Sequence, residues 1–160
     1  RFCGFGFPGG PAIQKISEGG DPNKIDLPRP KTKHVYNYSF SGLKTAATNF
    51  LNNLDPNDKV TKADFAASYQ EAIVDSLLSN FVKAVDESGV KNISGGGGVM
   101  ANSRLREKMS IFAENNELNI YLPTPKLSTD NAAMICVAAQ NNLVTNEINA
   151  DDVRLNSIIA

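Results

Sequence analysis

The chain has 160 residues, 41% of them hydrophobic, with 16 basic residues against 17 acidic ones. This length suits one domain or a piece of a larger one, and the balanced charge excludes a global field directed at nucleic acid or a membrane. No apolar run approaches transmembrane length, and Cys3 and Cys136 stand too far apart in sequence to suggest a disulfide framework or a zinc knuckle. Buried free thiols in a reducing cytosol are the expectation, so the protein is read as cytoplasmic.

The chain opens without a methionine, at RFCGFGFPGGP, inside what reads as a turn. This suggests that the natural chain continues upstream. Pro11 suits a first helical turn, and Ile13 and Ile16 supply a short apolar face. Gly19 and Gly20 stop that helix. Residues 21–38 read as loop, with Pro22, Pro28 and Pro30 and the basic residues Lys24, Arg29, Lys31 and Lys33. Such a run is ordinarily a solvated loop. An RNA-backbone contact is the alternative and needs further support.

A helix is expected to follow Ser39-Phe40-Ser41, with Leu43, Ala46, Ala47, Phe50, Leu51 and Leu54 on its buried face and Pro56 at its end. Either serine serves better as a cap than as a nucleophile, because no histidine or acid lies nearby. Thr61 begins the longest helix, and Thr61 with Asp64 resembles a capping box. Its apolar stripe is Ala66, Tyr69, Ile73, Leu77, Phe81 and Val85, widened by Val74, Leu78 and Val82. Gly89 closes it.

Val90 to Ser94 reads as a strand running into four glycines, Gly95 to Gly98. Glycine permits positive φ and close approach of backbone to a ligand. The next helix, capped by Asn102 or a neighbour, offers unpaired N–H groups. Strand, glycine turn and helix together form a candidate phosphate cradle. The cradle lacks the Gly-Lys-Ser/Thr end of a P-loop and the spacing of a dinucleotide fingerprint. A glycine turn that merely packs a helix onto a sheet explains it equally well. Leu105, Met109, Phe112 and Ala113 face the core. Leu118 to Leu122 reads as a second strand, broken by Pro123 and Pro125. Ser128, Thr129 or Asp130 is expected to cap a last helix that buries Ala133, Ile135, Cys136 and Ala139. The pattern from Val144 onward is weak. His34 is the one histidine, so no histidine-rich metal site can be built. The alternation indicates an α/β layered, helix-rich fold, with part of its sheet lying elsewhere.

Four segments in order, FGFPGGPAIQKIS, NYSFSGLKTA, ISGGGGVMANSRLR and LPTPKLSTDNAAMI, resemble the tRNA N6-adenosine threonylcarbamoyltransferase family, formerly called O-sialoglycoprotein endopeptidase or glycoprotease. The resemblance runs from about Gly4 to Ala139, and its STDNAAMI form is similar to the bacterial or organellar branch. It implies the actin-like ATPase fold, two ribonuclease-H-like lobes with a nucleotide between them. On this basis residues 1–160 would be the C-terminal lobe of such an enzyme, without the N-terminal lobe. The implied activity is transfer of a threonylcarbamoyl group from threonylcarbamoyl-adenylate to N6 of the adenosine beside the tRNA anticodon.

By resemblance, Gly10 approaches the nucleotide. Gln14 stands where the family usually has an acid that binds the ribose hydroxyls. Gly97 and Gly98 turn beside the phosphates, Asn102 hydrogen-bonds the nucleotide, and Asp130 is a ligand to one metal ion, iron or zinc. The two remaining ligands would come from an upstream HxxxH helix absent from this sequence. The implied partners are tRNA, a catalytically inert paralogue and a small ATPase. No membrane is implied. The piece alone is expected to be inactive, and a lost sheet partner invites self-association. The alternatives are a non-catalytic paralogue or scaffold half, another nucleotide-binding enzyme of the superfold such as a small-molecule kinase, and the old peptidase label.

Overall fold

The computed structural model describes residues 5–144 except 35 and 56. Helices α1 (Gly9–Ser17), α2 (Ser41–Asn52) and α3 (Lys62–Ser88) come first, followed by strand β1 (Asn92–Ser94), helix α4 (Ser103–Asn115), strand β2 (Asn119–Tyr121) and helix α5 (Ala132–Val144). Short 3-10 turns at Gly98–Ala101 and Pro125–Leu127 follow the two strands. The result is a helix-rich α/β arrangement with a small parallel sheet, in which Asn92, Ile93 and Ser94 pair with Asn119, Ile120 and Tyr121. Parallel strands point their C-terminal ends the same way. The glycine turn after β1 and the proline turn after β2 therefore emerge side by side, and a Cβ at Gly98 would lie 3.9 Å from Thr129.

Helix α3 is the spine. It starts at the expected capping box, with the Thr61 hydroxyl accepting from the Asp64 amide and the Asp64 carboxylate accepting from the Thr61 amide. It ends at Gly89, whose left-handed φ of 64° only glycine adopts without cost. Asp64 also accepts from the Asp21 amide at 2.9 Å, which ties the loop after α1 to the head of α3. A first cluster packs Ile25, Leu27, Leu43 and Ala47 against Phe65 and Ala72. A second joins Val74 to Met100, Leu105 and Met109, and a third joins Val85 to Ile93 and Ala113. A run of stacked rings, Phe50 on Phe65 and Phe65 on Tyr69, fills the first cluster.

Several expectations are corrected. Helix α2 has no side-chain cap: Phe40 precedes it, and Ser41 is its first residue. It ends at Asn52, where the Asn53 amide bonds to Asn49 and Phe50 carbonyls, and Pro56 lies outside the described residues. Strand β1 begins only at Asn92, because Val90 directly follows the left-handed turn at Gly89 and stays exposed. Helix α5 buries none of Ala133, Ile135, Cys136 and Ala139, because no described element packs on it; Ile135 is 71% exposed. Cys136 is thus an exposed thiol, and Cys3 lies outside the described residues. Asn131 caps this helix, accepting from the Met134 amide at 3.2 Å. Ser128 is buried instead, with its hydroxyl donating to the Thr124 carbonyl.

Candidate functional site

Among the described residues, a well-enclosed recess lies where α1, α3 and the turn before α4 meet. Its volume is about 330 Å³, within the ordinary range for small-molecule sites. Gly10, Pro11, Ile13 and Gln14 form one wall; Gln70, Ile73, Val74 and Leu77 form the floor; Gly98, Val99, Ala101, Asn102 and Leu105 close the other side. Three carboxamides, Gln14, Gln70 and Asn102, supply the polar side chains, and no lining residue carries a titratable group.

Asn102 is the N-cap of α4, its Oδ1 accepting from the Leu105 amide at 2.9 Å. Its Nδ2 donates to Gln70 at 2.8 Å. Gln14 reaches across from α1 to accept from the Ser103 amide at 2.9 Å. The expected phosphate cradle at the head of α4 is therefore altered. A 3-10 turn intervenes between strand and helix, and the Ser103 and Leu105 amides already have side-chain acceptors. The open backbone lies one step earlier, at Gly96 and Gly97, where nothing comes within 4 Å of an added Cβ. Gly97 has φ 86°, a conformation that favours glycine. Gly10 has ordinary φ and empty space beside it, so nothing within the described fold requires glycine there. A bound group lying against the backbone would.

Four of the six residues singled out from the sequence, Gly10, Gln14, Gly98 and Asn102, line this recess together. Gly97 adjoins it, while Asp130 is exposed on the loop before α5. Among the described residues no three of His, Cys, Asp and Glu converge on a possible metal position. Asp130 alone supplies too few donors to hold an ion. Gln70 and Ser17 were not foreseen. The signal for Gln70 was a polar residue in the apolar stripe, between Ala66 and Ile73 on the same face of α3.

Behind the recess, an ion cluster fastens α3 to α4. Arg104 forks onto Glu71 at 2.8 and 2.9 Å and also reaches Glu107. Lys108 bridges Glu71 and Asp75, and Asp75 also pairs with Arg29. The Arg104 guanidinium holds the Glu71 carboxyl down at about 2, with Lys108 assisting against the opposing effect of burial.

The sequence profile of the family described as tRNA N6-adenosine threonylcarbamoyltransferase matches residues 1–137. The chain belongs to the tRNA N6-adenosine threonylcarbamoyltransferase family. Curated relatives of that name include one from Symbiobacterium thermophilum, 43% identical over 138 residues that cover 86% of this chain and 40% of the relative. One from Thermosipho africanus is 45% identical, covering 86% and 42%. One from Fervidobacterium nodosum is 43% identical, covering 92% and 44%. The chain thus spans about two fifths of the length of these threonylcarbamoyltransferase relatives. Among the described residues, no helix is long and apolar enough to cross a membrane.

Proposed function

We propose that this chain supplies the nucleotide-holding C-terminal lobe of a two-lobed, actin-like enzyme of the cytoplasm. That enzyme would transfer a threonylcarbamoyl group from threonylcarbamoyl-adenylate to N6 of the adenosine beside the tRNA anticodon. The observation that carries this reading is the convergence of Gly10, Gln14, Gly98 and Asn102 on one apolar recess from segments about 90 residues apart. Ile73, Leu77 and Val99 suit the flat adenine ring, the carboxamides suit the ribose, and the open turn at Gly96 and Gly97 suits the phosphate.

In the reaction, the tRNA amine attacks the carbonyl carbon of the donor. An N–C bond forms, the C–O bond to phosphate breaks, AMP leaves, and the attacking nitrogen loses a proton. With no titratable group in the lining, the recess contributes positioning and hydrogen bonds, not proton transfer. A kinase of the same superfold would need a carboxylate near the transferred phosphate, and the lining offers none. Asp130 would provide one ligand to an iron or zinc ion, with the others coming from outside this sequence. When bound, the ion would polarise the donor carbonyl. An inert paralogue and a small ATPase would be the enzyme's protein partners. Without the rest of the enzyme, the chain is expected to be inactive.

The test is a calorimetric titration of the 160-residue chain with AMP and ATP, beside Gly10→Ala and Asn102→Ala. Saturable binding is expected, weakened at least tenfold in each variant. Gly10→Ala should leave stability unchanged or slightly raised, since alanine is the better helix former and has room there. Asn102→Ala should also lose about 1 kcal/mol of stability with its cap. A folded chain that binds neither nucleotide would defeat the reading.

The exposed apolar residues of α5, among them Met134, Ile135 and Val137, are proposed to drive self-association of the isolated chain. Sedimentation should show mass rising with concentration. A constant monomer mass would count against it.

A further inference from the structure

Hydrogen bonds cross the polar corner of the recess in one direction, fixed at both ends by backbone groups. The Leu105 amide donates to Asn102 Oδ1 at 2.9 Å, so the Asn102 nitrogen must face the other way. It donates to Gln70 Oε1 at 2.8 Å. Gln70 Nε2 then donates to Ser17 Oγ at 3.1 Å, and the Ser17 hydroxyl donates to the Gln14 carbonyl at 2.7 Å. A backbone N–H only donates and a backbone carbonyl only accepts, so neither amide can flip without losing a bond. The Ser103 amide fixes the Gln14 side chain in the same way.

Each of the three side-chain oxygens therefore already has a protein donor, while each amide nitrogen keeps N–H groups that this network does not use. Covering an N–H without a partner costs more than leaving the second lone pair of an engaged carbonyl unfilled. We propose that Gln70 holds Asn102 in place and offers its own remaining N–H to the ligand, making this corner of the recess a hydrogen-bond donor, so that the site selects nucleosides by the acceptor atoms they bring to it. Those acceptors are ring nitrogens and ribose oxygens. Gln14 then donates to the ribose where an acid would accept from it. The inference rests on the nucleotide reading above.

Adenosine, which carries no phosphate, is the probe. It is titrated from pH 7.5 to 5 into the 160-residue chain, Gln70→Glu and Gln70→Met. The carboxylate of Gln70→Glu can still accept from Asn102 and can take the Ser17 proton, so both contacts persist. The donor facing the ligand is replaced by an acceptor. Tenfold or greater loss of adenosine affinity is expected at pH 7.5. Affinity should recover as the pH falls and the carboxyl becomes protonated, because a protonated carboxyl donates again. Gln70→Met loses both contacts and should be weak at every pH, with the parent chain flat across the range.

No other lining group titrates. Glu71, next in sequence, is held by Arg104 and Lys108 below this window, and His34 lies outside the recess, beside Lys33 and Tyr36. Unchanged affinity in Gln70→Glu, or a loss as flat with pH as that of Gln70→Met, overturns the inference and leaves the nucleotide reading standing. A folded parent chain that binds neither adenosine nor AMP overturns both.

Discussion

Gly20→Ala is expected to destabilise the protein by about 3 kcal/mol or more, because overpacking costs about 1–3 kcal/mol and each lost hydrogen bond about 1 more. A Cβ at this position would stand 2.2 Å from the Ala63 carbonyl oxygen and 2.8 Å from the Asp64 amide nitrogen. Both obstacles are backbone at the head of α3, so neither can swing aside. The chain must lift away, and it carries with it the Asp21 amide bond to Asp64 and the Ile25 amide bond to Ser68. Gly9→Ala, with open space around it, is the control and should stay within about 1 kcal/mol of the parent. Urea unfolding of the two variants decides the matter. A Gly20→Ala protein as stable as the control would mean that the loop yields freely.

Glu71→Gln is expected to cost about 2–3 kcal/mol at neutral pH, near the lower end of what breaking a buried ion pair costs, because Arg104 keeps Glu107 and Lys108 keeps Asp75. The Glu71 side chain is only 8% exposed, and two cations converge on it. Its carboxyl sits at about 2 in the folded protein against an ordinary 4.5. A depressed folded value means that the unfolded chain binds the proton more readily. The stabilisation is therefore complete above pH 4.5 and is lost as pH falls toward 2. Asp64 titrates in the same direction, from an ordinary 3.8 to about 2, held down first by the Asp21 amide and then by Thr61. Acid unfolding followed by circular dichroism should therefore be less steep between pH 4.5 and 2 in Glu71→Gln than in the parent. Identical acid profiles would show that Glu71 contributes nothing to acid stability.

Local signals in the sequence were legible where neighbours in sequence decide the structure. The capping box at Thr61 and Asp64, the stop at Gly89 and the cap at Asn102 each involve residues within one helical turn. The apolar stripe of α3 was legible because a helix repeats its face on a fixed period. Gly10, Gln14, Gly98 and Asn102, named through the family resemblance, line one recess. What the sequence hid were partners supplied from far along the chain. Gln14 meets Ser103 across 89 positions, and Gln70 meets Asn102 across 32. No local pattern announces such pairings. Helix α5 went wrong for the opposite reason. Its apolar residues were read as core, but burial also needs a second surface, and none of the described elements supplies one.

Helix α3 has a thermodynamic consequence for the molecule as a whole. Its 27 residues make it about 40 Å long at 1.5 Å per residue. Phe65 and Ala72 belong to the first apolar cluster, Val74 to the second and Val85 to the third. Phe81 packs against both of the last two. Three small cores strung on one rod share their cooperativity. Fraying the middle of the rod would expose apolar surface in neighbouring clusters, so hydrogen exchange is expected to show the three clusters opening together. Helix α5 belongs to none of these clusters and is expected to exchange ahead of them.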